Sequence, residues 1–100
     1  MGVYVGRLFN CRPYRYISKG TGWKYSQACH LLADPDSLDD LHKMAYKIGL
    51  KRHWFQDHST PHYDLVKSKR ILAIKAGATE IDFKAEAAII RAWRERRNAL

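Results

Sequence analysis

Residues 27–50, QACHLLADPDSLDDLHKMAYKIGL, decide the fold because they place a short apolar run directly before the clearest helix of the chain. The run QACHLLA (27–33) has the length and bounds of a buried strand. In the segment after it, apolar residues recur at helical spacing and form one stripe: Leu38, Leu41, Ala45 and Ile48. We therefore predict a strand over 27–33 and a helix over about 37–48 that pack on one core.

The ends of this helix are also marked in the sequence. Asp36 or Ser37 is placed to cap its N-terminus, and acids in the first turn oppose the positive end of the helix dipole. Gly49 follows the last helical residues, where a left-handed backbone conformation is favoured. The sequence thus predicts both the start and the end of the helix.

Other segments supply further strands. VYVGRLF (3–9), HWFQ (53–56) and HYDLV (62–66) have the β-branched and aromatic content of strands. Residues 10–25 contain proline and glycine without a clear period and are predicted to form a long loop. The β–α–β order over residues 27–56 has the length of a right-handed parallel crossover, which we expect here.

Two more helices complete the predicted fold. One covers about residues 67–76 and ends at Gly77, and a basic C-terminal helix over about 83–97 is capped by Asp82. The apolar face of the C-terminal helix is predicted to hold Phe83, Ala87, Ile90 and Trp93. The expected fold class is α/β or α+β, with residues 1–100 as a single domain. A small mixed three- to four-stranded sheet carries the helices.

The charge distribution favours an anionic partner. The net charge is +8, and both ends of the chain are basic, with +5 over residues 1–33 and +5 over residues 65–100 around a middle segment of −2. Such a distribution is typical of nucleotide or nucleic-acid binding, although a basic surface that maintains solubility is the alternative. No apolar run has the roughly 18 residues of a membrane helix, so we expect a cytoplasmic protein without a membrane partner.

Two histidines and two aspartates are the first candidates for catalysis or metal binding. His30 and Asp34 stand at the carboxyl end of the predicted strand 27–33, an edge where α/β sheets bind ligands. His62 and Asp64 are two residues apart on another predicted strand and point to the same face. If the two strands are neighbours, the four side chains could hold a divalent metal or perform acid–base chemistry. The alternative is that Asp34 and Asp64 serve turns and caps.

Three further groups are candidates for ligand binding. Arg70 follows the start of its helix, where backbone amides and a guanidinium can hold phosphate, unless it only forms a solvated helix face. His42 lies at the edge of its helix's apolar stripe, where a hydrogen bond within the core is the simpler interpretation. The segment 12–25 interleaves cations with aromatic rings, a pattern suited to phosphates and stacked bases, unless these residues instead fold the loop over the core. Its candidates are Arg12, Arg15, Tyr16 and Trp23.

Several motifs occur together and in order between about residues 3 and 80: VYV, CHLLAD, LDDLHKMAYKIGL, RHWFQ, PHYDL and KRILAIKAGA. As a set they resemble a family of small bacterial and bacteriophage proteins, domain of unknown function 4031. The resemblance implies that the shared polar and aromatic residues form a site: His30, Asp34, His42, Trp54, Gln56, His62, Asp64 and Arg70. The chain departs from the family pattern at Gly6, where an aspartate is common, so that carboxylate is either lost or replaced.

The resemblance implies a bacterial or phage origin, with the host cytoplasm as location, but it names no reaction. We carry three hypotheses. The first is binding of a phosphate-containing ligand, a nucleotide or nucleic acid, in a pocket of the shared residues, with the segment 12–25 closing over it. The second is phosphoester hydrolysis by His30, Asp34, His62 and Asp64, with or without a divalent metal as cofactor. The third is a phage or host factor that acts by contact with another protein.

Overall fold

The computed structural model describes residues 2–11, 14–16, 21–23, 25–57 and 60–99, and at 14–16 and 21–23 it describes the backbone alone. The strands in chain order are β1 (Val3–Val5), β2 (Phe9–Asn10), β3 (Tyr14–Tyr16), β4 (Thr21–Trp23), β5 (Gln27–Ala33), β6 (Tyr63–Leu65) and β7 (Thr79–Glu80). The helices are α1 (Leu38–Lys47), α2 (Lys67–Lys75) and α3 (Phe83–Asn98), and a 3₁₀ turn covers Arg52–Trp54.

The strand β5 is the centre of the sheet because both of its edges are paired. Leu31 lies opposite Val5 of β1 on one edge and opposite Tyr63 of β6 on the other, and both pairings are antiparallel. The first residues of β5 pair with β2, and β7 extends the sheet by pairing in parallel with β1. The result is a small mixed sheet with three helices, an α+β fold, which confirms the predicted fold class.

The alternation of side chains along β5 divides the molecule into two layers of helices. Cys29, Leu31 and Ala33 enter the main core, where they meet the apolar faces of α1 and α2. Leu32 points to the opposite face and packs under Ile89 and Trp93 of α3. Because side chains two residues apart on a strand share a face, His30 lies on the α3 face of the sheet. The functional candidates of β5 are thereby separated from the main core.

Most of the predicted helix ends are confirmed. Gly49 and Gly77 end α1 and α2 with φ angles of 84° and 111°, a conformation that favours glycine. Asp82 caps α3, and its side chain accepts a hydrogen bond from the Ala85 amide at 2.8 Å. Ser37 stands at the N-cap of α1, but its side chain makes no capping hydrogen bond, so the predicted side-chain cap is absent. Among the described residues, no helix is long and apolar enough to span a bilayer.

Three predictions about strands, their connections and loops were wrong. The segment 53–56 is not a strand, because residues 52–54 form the 3₁₀ turn and only Gln56 pairs, in an isolated bridge with His62. The parallel crossover over 27–56 is therefore absent, and the parallel pair is β1 with β7. The predicted loop 10–25 contains the antiparallel pair of β3 and β4, since proline and glycine mark turns without excluding short strands beside them.

Two further predictions were wrong in part. They concern the single strand over 3–9 and the buried face of the last helix. β1 and β2 are separate strands with a break over residues 6–8. The buried residues of α3 are Glu86, Ile89 and Trp93, whereas Phe83 is 57% exposed. The sequence favoured Phe83 because of its apolarity, but the contact with Leu32 and the bond from Trp93 Nε1 to the Ala33 carbonyl oxygen (2.7 Å) fix the helix in a different rotation.

Candidate metal centre

The pairing of β5 with β6 brings three predicted site residues together. His30 and Asp64 are direct partners in the register, and His62 stands two residues before Asp64 on the same face. Asp64 Oδ1 lies 3.7 Å from His30 Nε2 and 3.6 Å from His62 Nε2. The two imidazole rings meet edge to face with their centroids 4.8 Å apart. One ligand atom from each residue thus lies within 4.8 Å of the other two.

Hydrogen bonds at the far side of each ring determine which nitrogen faces this cluster. His30 Nδ1 lies 2.8 Å from Glu86 Oε2, and His62 Nδ1 lies 2.7 Å from the Thr60 carbonyl oxygen. Because a carboxylate and a carbonyl oxygen only accept hydrogen bonds, both Nδ1 atoms carry protons and donate them. In the neutral rings, both Nε2 atoms therefore keep a free lone pair beside Asp64.

The aspartate is oriented in a similar way. Gln56 donates a hydrogen bond from Nε2 to Asp64 Oδ2 at 2.5 Å, which leaves Oδ1 to the two histidines. Gln56 is itself held by two backbone hydrogen bonds with His62, of 2.9 and 3.1 Å. The isolated bridge between Gln56 and His62 therefore stabilises the cluster, because it fixes the position of Gln56, whose side chain orients Asp64.

Electrostatics and exposure are consistent with a site that solvent reaches. The hydrogen bond to Glu86 raises the pKa of His30, and the charges of Glu86 and Asp64 act in the same direction, while burial opposes the shift. The side chains of His30 and Asp64 keep 30% and 25% of their surface exposed. An ion or a water molecule can therefore enter from the solvent without a rearrangement of the core.

Glu86 is the member of this arrangement that sequence reasoning missed. It is 8% exposed, although glutamate is rarely buried without a partner. It stands three residues before Ile89 and seven before Trp93, so it continues the buried stripe of α3. A carboxylate in line with an apolar stripe was the signal in the sequence, but the prediction of Phe83 and Ala87 as the buried face concealed it.

Two of the predicted residues lie elsewhere. Asp34 is four residues beyond His30, about 13 Å at the rise of a strand. It accepts a hydrogen bond from the Tyr4 hydroxyl at 2.8 Å, and its backbone oxygen accepts one from Ser37 before α1, so the structure supports the turn alternative for this residue. His42 lies on the α1 side of the sheet, 2.9 Å from the Tyr63 hydroxyl through Nδ1, in agreement with the interpretation as a core hydrogen bond.

Arg70 and Trp54 make their recorded contacts outside the cluster. Arg70 donates to the Gly6 carbonyl oxygen at 2.9 Å and pairs with Glu80 at 3.2 Å, so it connects α2 to β1 and β7. Trp54 stands in the 3₁₀ turn with 47% of its surface exposed, and Lys51 Nζ lies 5.7 Å from its ring. Trp54 stands two residues before Gln56 in the sequence.

The candidates of the basic aromatic segment stay predictions. Arg12 lies outside the described residues. Arg15, Tyr16 and Trp23 belong to β3 and β4, of which the backbone alone is described, so the positions of their side chains are also outside the described structure.

The cluster has the donor atoms and the spacing of a transition-metal site. Two imidazole nitrogens and one carboxylate oxygen are a set used by zinc and non-haem iron sites. Two ligands at about 2.1 Å from a tetrahedral ion are about 3.4 Å apart, so the 3.6 and 3.7 Å between Asp64 and the two histidines require a small contraction, and the ligand atoms of the two histidines lie within 4.8 Å of each other. Outer hydrogen bonds to both rings and to the carboxylate are also usual around bound metals. We therefore regard His30, His62 and Asp64 as the candidate ligands.

Comparison with known proteins supports the family resemblance. The sequence matches the family described as "Protein of unknown function (DUF4031)" over residues 18–93, a range that contains the three candidate ligands, Gln56 and Glu86. No curated protein and no solved structure matches the chain significantly. Since the match covers most of the sequence, the chain belongs to the DUF4031 family, a family of proteins of unknown function.

Proposed function

We propose that this protein is a metal-dependent phosphodiesterase that acts on single-stranded nucleic acid. The observation that carries the proposal is the convergence of His30 Nε2, His62 Nε2 and Asp64 Oδ1, each oriented by a hydrogen bond at its other side. The stability of the β5–β6 pair does not explain this arrangement, because three solvent-accessible polar side chains on an aliphatic sheet add little to its packing.

The chemistry follows from the donor set. His30, His62 and Asp64 would hold a divalent ion with positions left open for water and substrate, and the ion would supply Lewis-acid activation of a water molecule. In the hydrolysis, the oxygen of one water would bond to phosphorus with loss of one proton to solvent. The bond from phosphorus to the leaving oxygen would break, and that oxygen would keep the electron pair and take a proton from solvent. One water molecule is consumed for each ester that is hydrolysed.

The choice of nucleic acid rests on the surroundings of the centre. The net charge of +8 attracts a polyanion. The residues Lys51–Trp54 present an exposed ring together with cations, and Gln56 connects this segment directly to Asp64. An exposed aromatic ring with adjacent cations suits single-stranded nucleic acid, because a base can stack on the ring while the cations contact phosphates.

The proposal is tested by metal binding and hydrolysis together. We expect the wild-type protein, freed of metal by chelation, to bind Zn²⁺ or Mn²⁺ with one ion per chain in calorimetry. It should then cleave a single-stranded DNA or RNA oligonucleotide. His62→Ala should weaken binding at least tenfold and abolish cleavage. The matched control for metal binding is His53→Ala, since His53 is an exposed histidine outside the cluster. Equal metal binding by His62→Ala and wild type would refute the centre.

The second candidate function is binding of a nucleotide or nucleic acid without turnover. The exposed Trp54 beside Lys51 favours it, because stacking and phosphate contacts do not require an ion. The two functions are distinguished by the same oligonucleotide. Salt-sensitive binding that is unaffected by chelation, with no cleavage at any metal concentration, would favour the binding function over the hydrolase. Contact with a host or phage protein stays a prediction.

A further inference from the structure

The carboxylate of Glu86 on α3 fills the space that a side chain at position 6 would need. A Cβ atom added to Gly6 would overlap Glu86 Oε1 and would lie 3.1 Å from its Cδ, which is closer than an ordinary van der Waals contact. The φ angle of Gly6 is not positive, so the backbone conformation does not demand glycine. Glycine is required at position 6 for a steric reason, because any larger residue would occupy the space of the Glu86 carboxylate beside the sheet.

The backbone at Gly6 has little freedom to withdraw from that carboxylate. The Gly6 amide donates to the His30 carbonyl oxygen at 3.0 Å, and the Gly6 carbonyl oxygen accepts from Arg70 Nε at 2.9 Å. The peptide is therefore held on one side by the strand that carries His30 and on the other by α2. A side chain at this position would displace Glu86 rather than the strand.

Glu86 in turn determines the state of His30. An isolated imidazole is free to carry its proton on either nitrogen, and the bond made by one nitrogen decides what the other presents. The contact of 2.8 Å between Glu86 Oε2 and His30 Nδ1 keeps the proton on Nδ1. The lone pair of Nε2 then faces Asp64 Oδ1 and His62.

We propose that Glu86 is the positioning residue of the metal centre, that it holds His30 in the Nδ1–H tautomer, and that Gly6 is required because it leaves room for the Glu86 carboxylate. The assignment to a metal centre rests on the proposed function. The tautomer and the steric pairing do not, because they concern the protein without metal.

The first experiment measures the tautomer in the metal-free protein by nitrogen–proton correlation spectra of the histidine side chains. At a pH high enough for the His30 ring to be neutral, the wild type should hold it in the Nδ1–H form. Glu86→Ala should make the Nε2–H form the major one, and Gly6→Ala should have the same effect because its Cβ displaces the carboxylate. Glu95→Ala, which removes an exposed acid of the same helix, should leave the tautomer unchanged. An unchanged Nδ1–H form in both Glu86→Ala and Gly6→Ala would overturn the inference.

The second experiment exchanges the origin of the carboxylate. The double variant with Gly6→Asp and Glu86→Ala supplies an acid to the same space from β1 in place of α3. We expect it to restore the Nδ1–H form of His30. If a carboxylate at position 6 restores the Nδ1–H form, the carboxylate of Glu86 acts by orienting His30 and not only through the packing of α3. This test does not depend on how well the single variant Glu86→Ala folds. The Nε2–H form in a folded double variant would count against the inference.

The third experiment measures metal affinity, to test whether the tautomer of His30 affects metal binding. Loss of an outer hydrogen bond to a histidine ligand typically weakens metal binding about 10- to 100-fold, which we expect for Co²⁺ or Zn²⁺ with Glu86→Ala. The double variant should recover most of the loss. If wild type binds no metal while the tautomer responds as described, the proposed function fails and the steric and tautomeric inference stands. If wild type binds metal and Glu86→Ala binds it equally well, Glu86 has no positioning role toward the ion.

Discussion

His30 and Asp64 face each other across the β5–β6 pair, with Nε2 of the histidine 3.7 Å from Oδ1 of the aspartate. This distance is too long for a hydrogen bond but short enough for a shared ion. The register holds the pair on one face, because a shift by a single residue would move Asp64 into the core and Tyr63 out of it. Tyr63 and Leu65 on the buried face thus secure the position of the candidate ligand between them.

Asp64→Asn should weaken metal binding at least tenfold while the fold is retained. The substitution keeps the size of the side chain and removes the negative charge that balances a divalent ion. Calorimetric titration with Zn²⁺ measures the effect, and Asp57→Asn serves as control because Asp57 pairs with Arg97 at 3.6 Å outside the cluster. Equal affinities of Asp64→Asn and wild type would remove Asp64 from the ligand set.

Gln56→Ala should reduce metal affinity about 10- to 100-fold with little loss of stability. Gln56 donates to the oxygen of Asp64 that does not face the histidines, so its removal frees the carboxylate to rotate. Its backbone pairing with His62 survives the truncation, because both of those hydrogen bonds are made by main-chain atoms. Metal titration and urea unfolding of the same variant separate the two effects. A large loss of stability with normal affinity would indicate a purely structural role.

Trp54→Ala should weaken binding of a single-stranded oligonucleotide by about 1–3 kcal/mol, the usual contribution of one stacked base. The metal affinity should not change, because Trp54 makes no contact with the candidate ligands that the structure records. Fluorescence anisotropy with a labelled oligonucleotide provides the measurement. Tyr46→Ala is the control, since Tyr46 is an aromatic residue with 86% exposure on α1. If both variants bind as wild type does, the nucleic acid does not use the 3₁₀ turn.

His42 should make the free energy of unfolding depend on pH. Burial lowers the pKa of His42 from 6.5, and the nearby charge of Arg52 acts in the same direction. The neutral ring is therefore favoured in the folded state, and its contribution to stability is complete above pH 6.5. As the pH falls below 6.5, the unfolded chain takes up the proton first and stability is lost until the folded state is protonated as well.

The measurement is urea unfolding between pH 7.5 and 5, where His42→Gln should show a shallower loss of stability than wild type. His53→Gln, a substitution at an exposed histidine, should follow the wild-type curve. Parallel curves for wild type and His42→Gln would show that the His42 ring does not contribute to the acid sensitivity.

Trp93→Phe should lower the free energy of unfolding by about 1–3 kcal/mol. The ring is 7% exposed, and its Nε1 donates to the Ala33 carbonyl oxygen at 2.7 Å. Phenylalanine keeps much of the apolar contact but leaves this buried carbonyl without its partner. Trp54→Phe is the matched control at an exposed site and should change stability by less than about 0.5 kcal/mol. Equal stabilities of the two variants would contradict a structural role for the hydrogen bond.

Local patterns predicted the helices well because their signals lie within one segment. Gly49, Gly77 and Asp82 act on the backbone beside them, so the ends of the helices could be inferred without the rest of the chain. The strand HWFQ failed for the opposite reason. Its aromatic content suits a strand, but a strand also needs a partner along its length, and only Gln56 finds one.

Three of the four predicted catalytic residues, His30, His62 and Asp64, lie together in the structure, and the fourth, Asp34, does not. The alternation of His62, Tyr63 and Asp64 predicted that the histidine and aspartate share a face, and the register of β6 with β5 added His30. In the sequence, Asp34 was as good a candidate for the site as the other three residues, because it directly follows the strand that contains His30. Its distance along β5 and its bond with Tyr4 separate it from the cluster, which no short-range pattern reveals.

The sequence by itself determined that the fold combines helices with a mixed sheet, where most of the helices end, which face of β6 carries His62 and Asp64, and the membership of the family. These features depend on local backbone preferences and on the two-residue period of a strand. Only the tertiary structure decided that α3 turns Glu86 toward His30 and that Gly6 leaves the space for it. Residues 6, 30 and 86 are brought together by the packing of α3 on the sheet, and contacts so distant in sequence depend on the packing of the whole core.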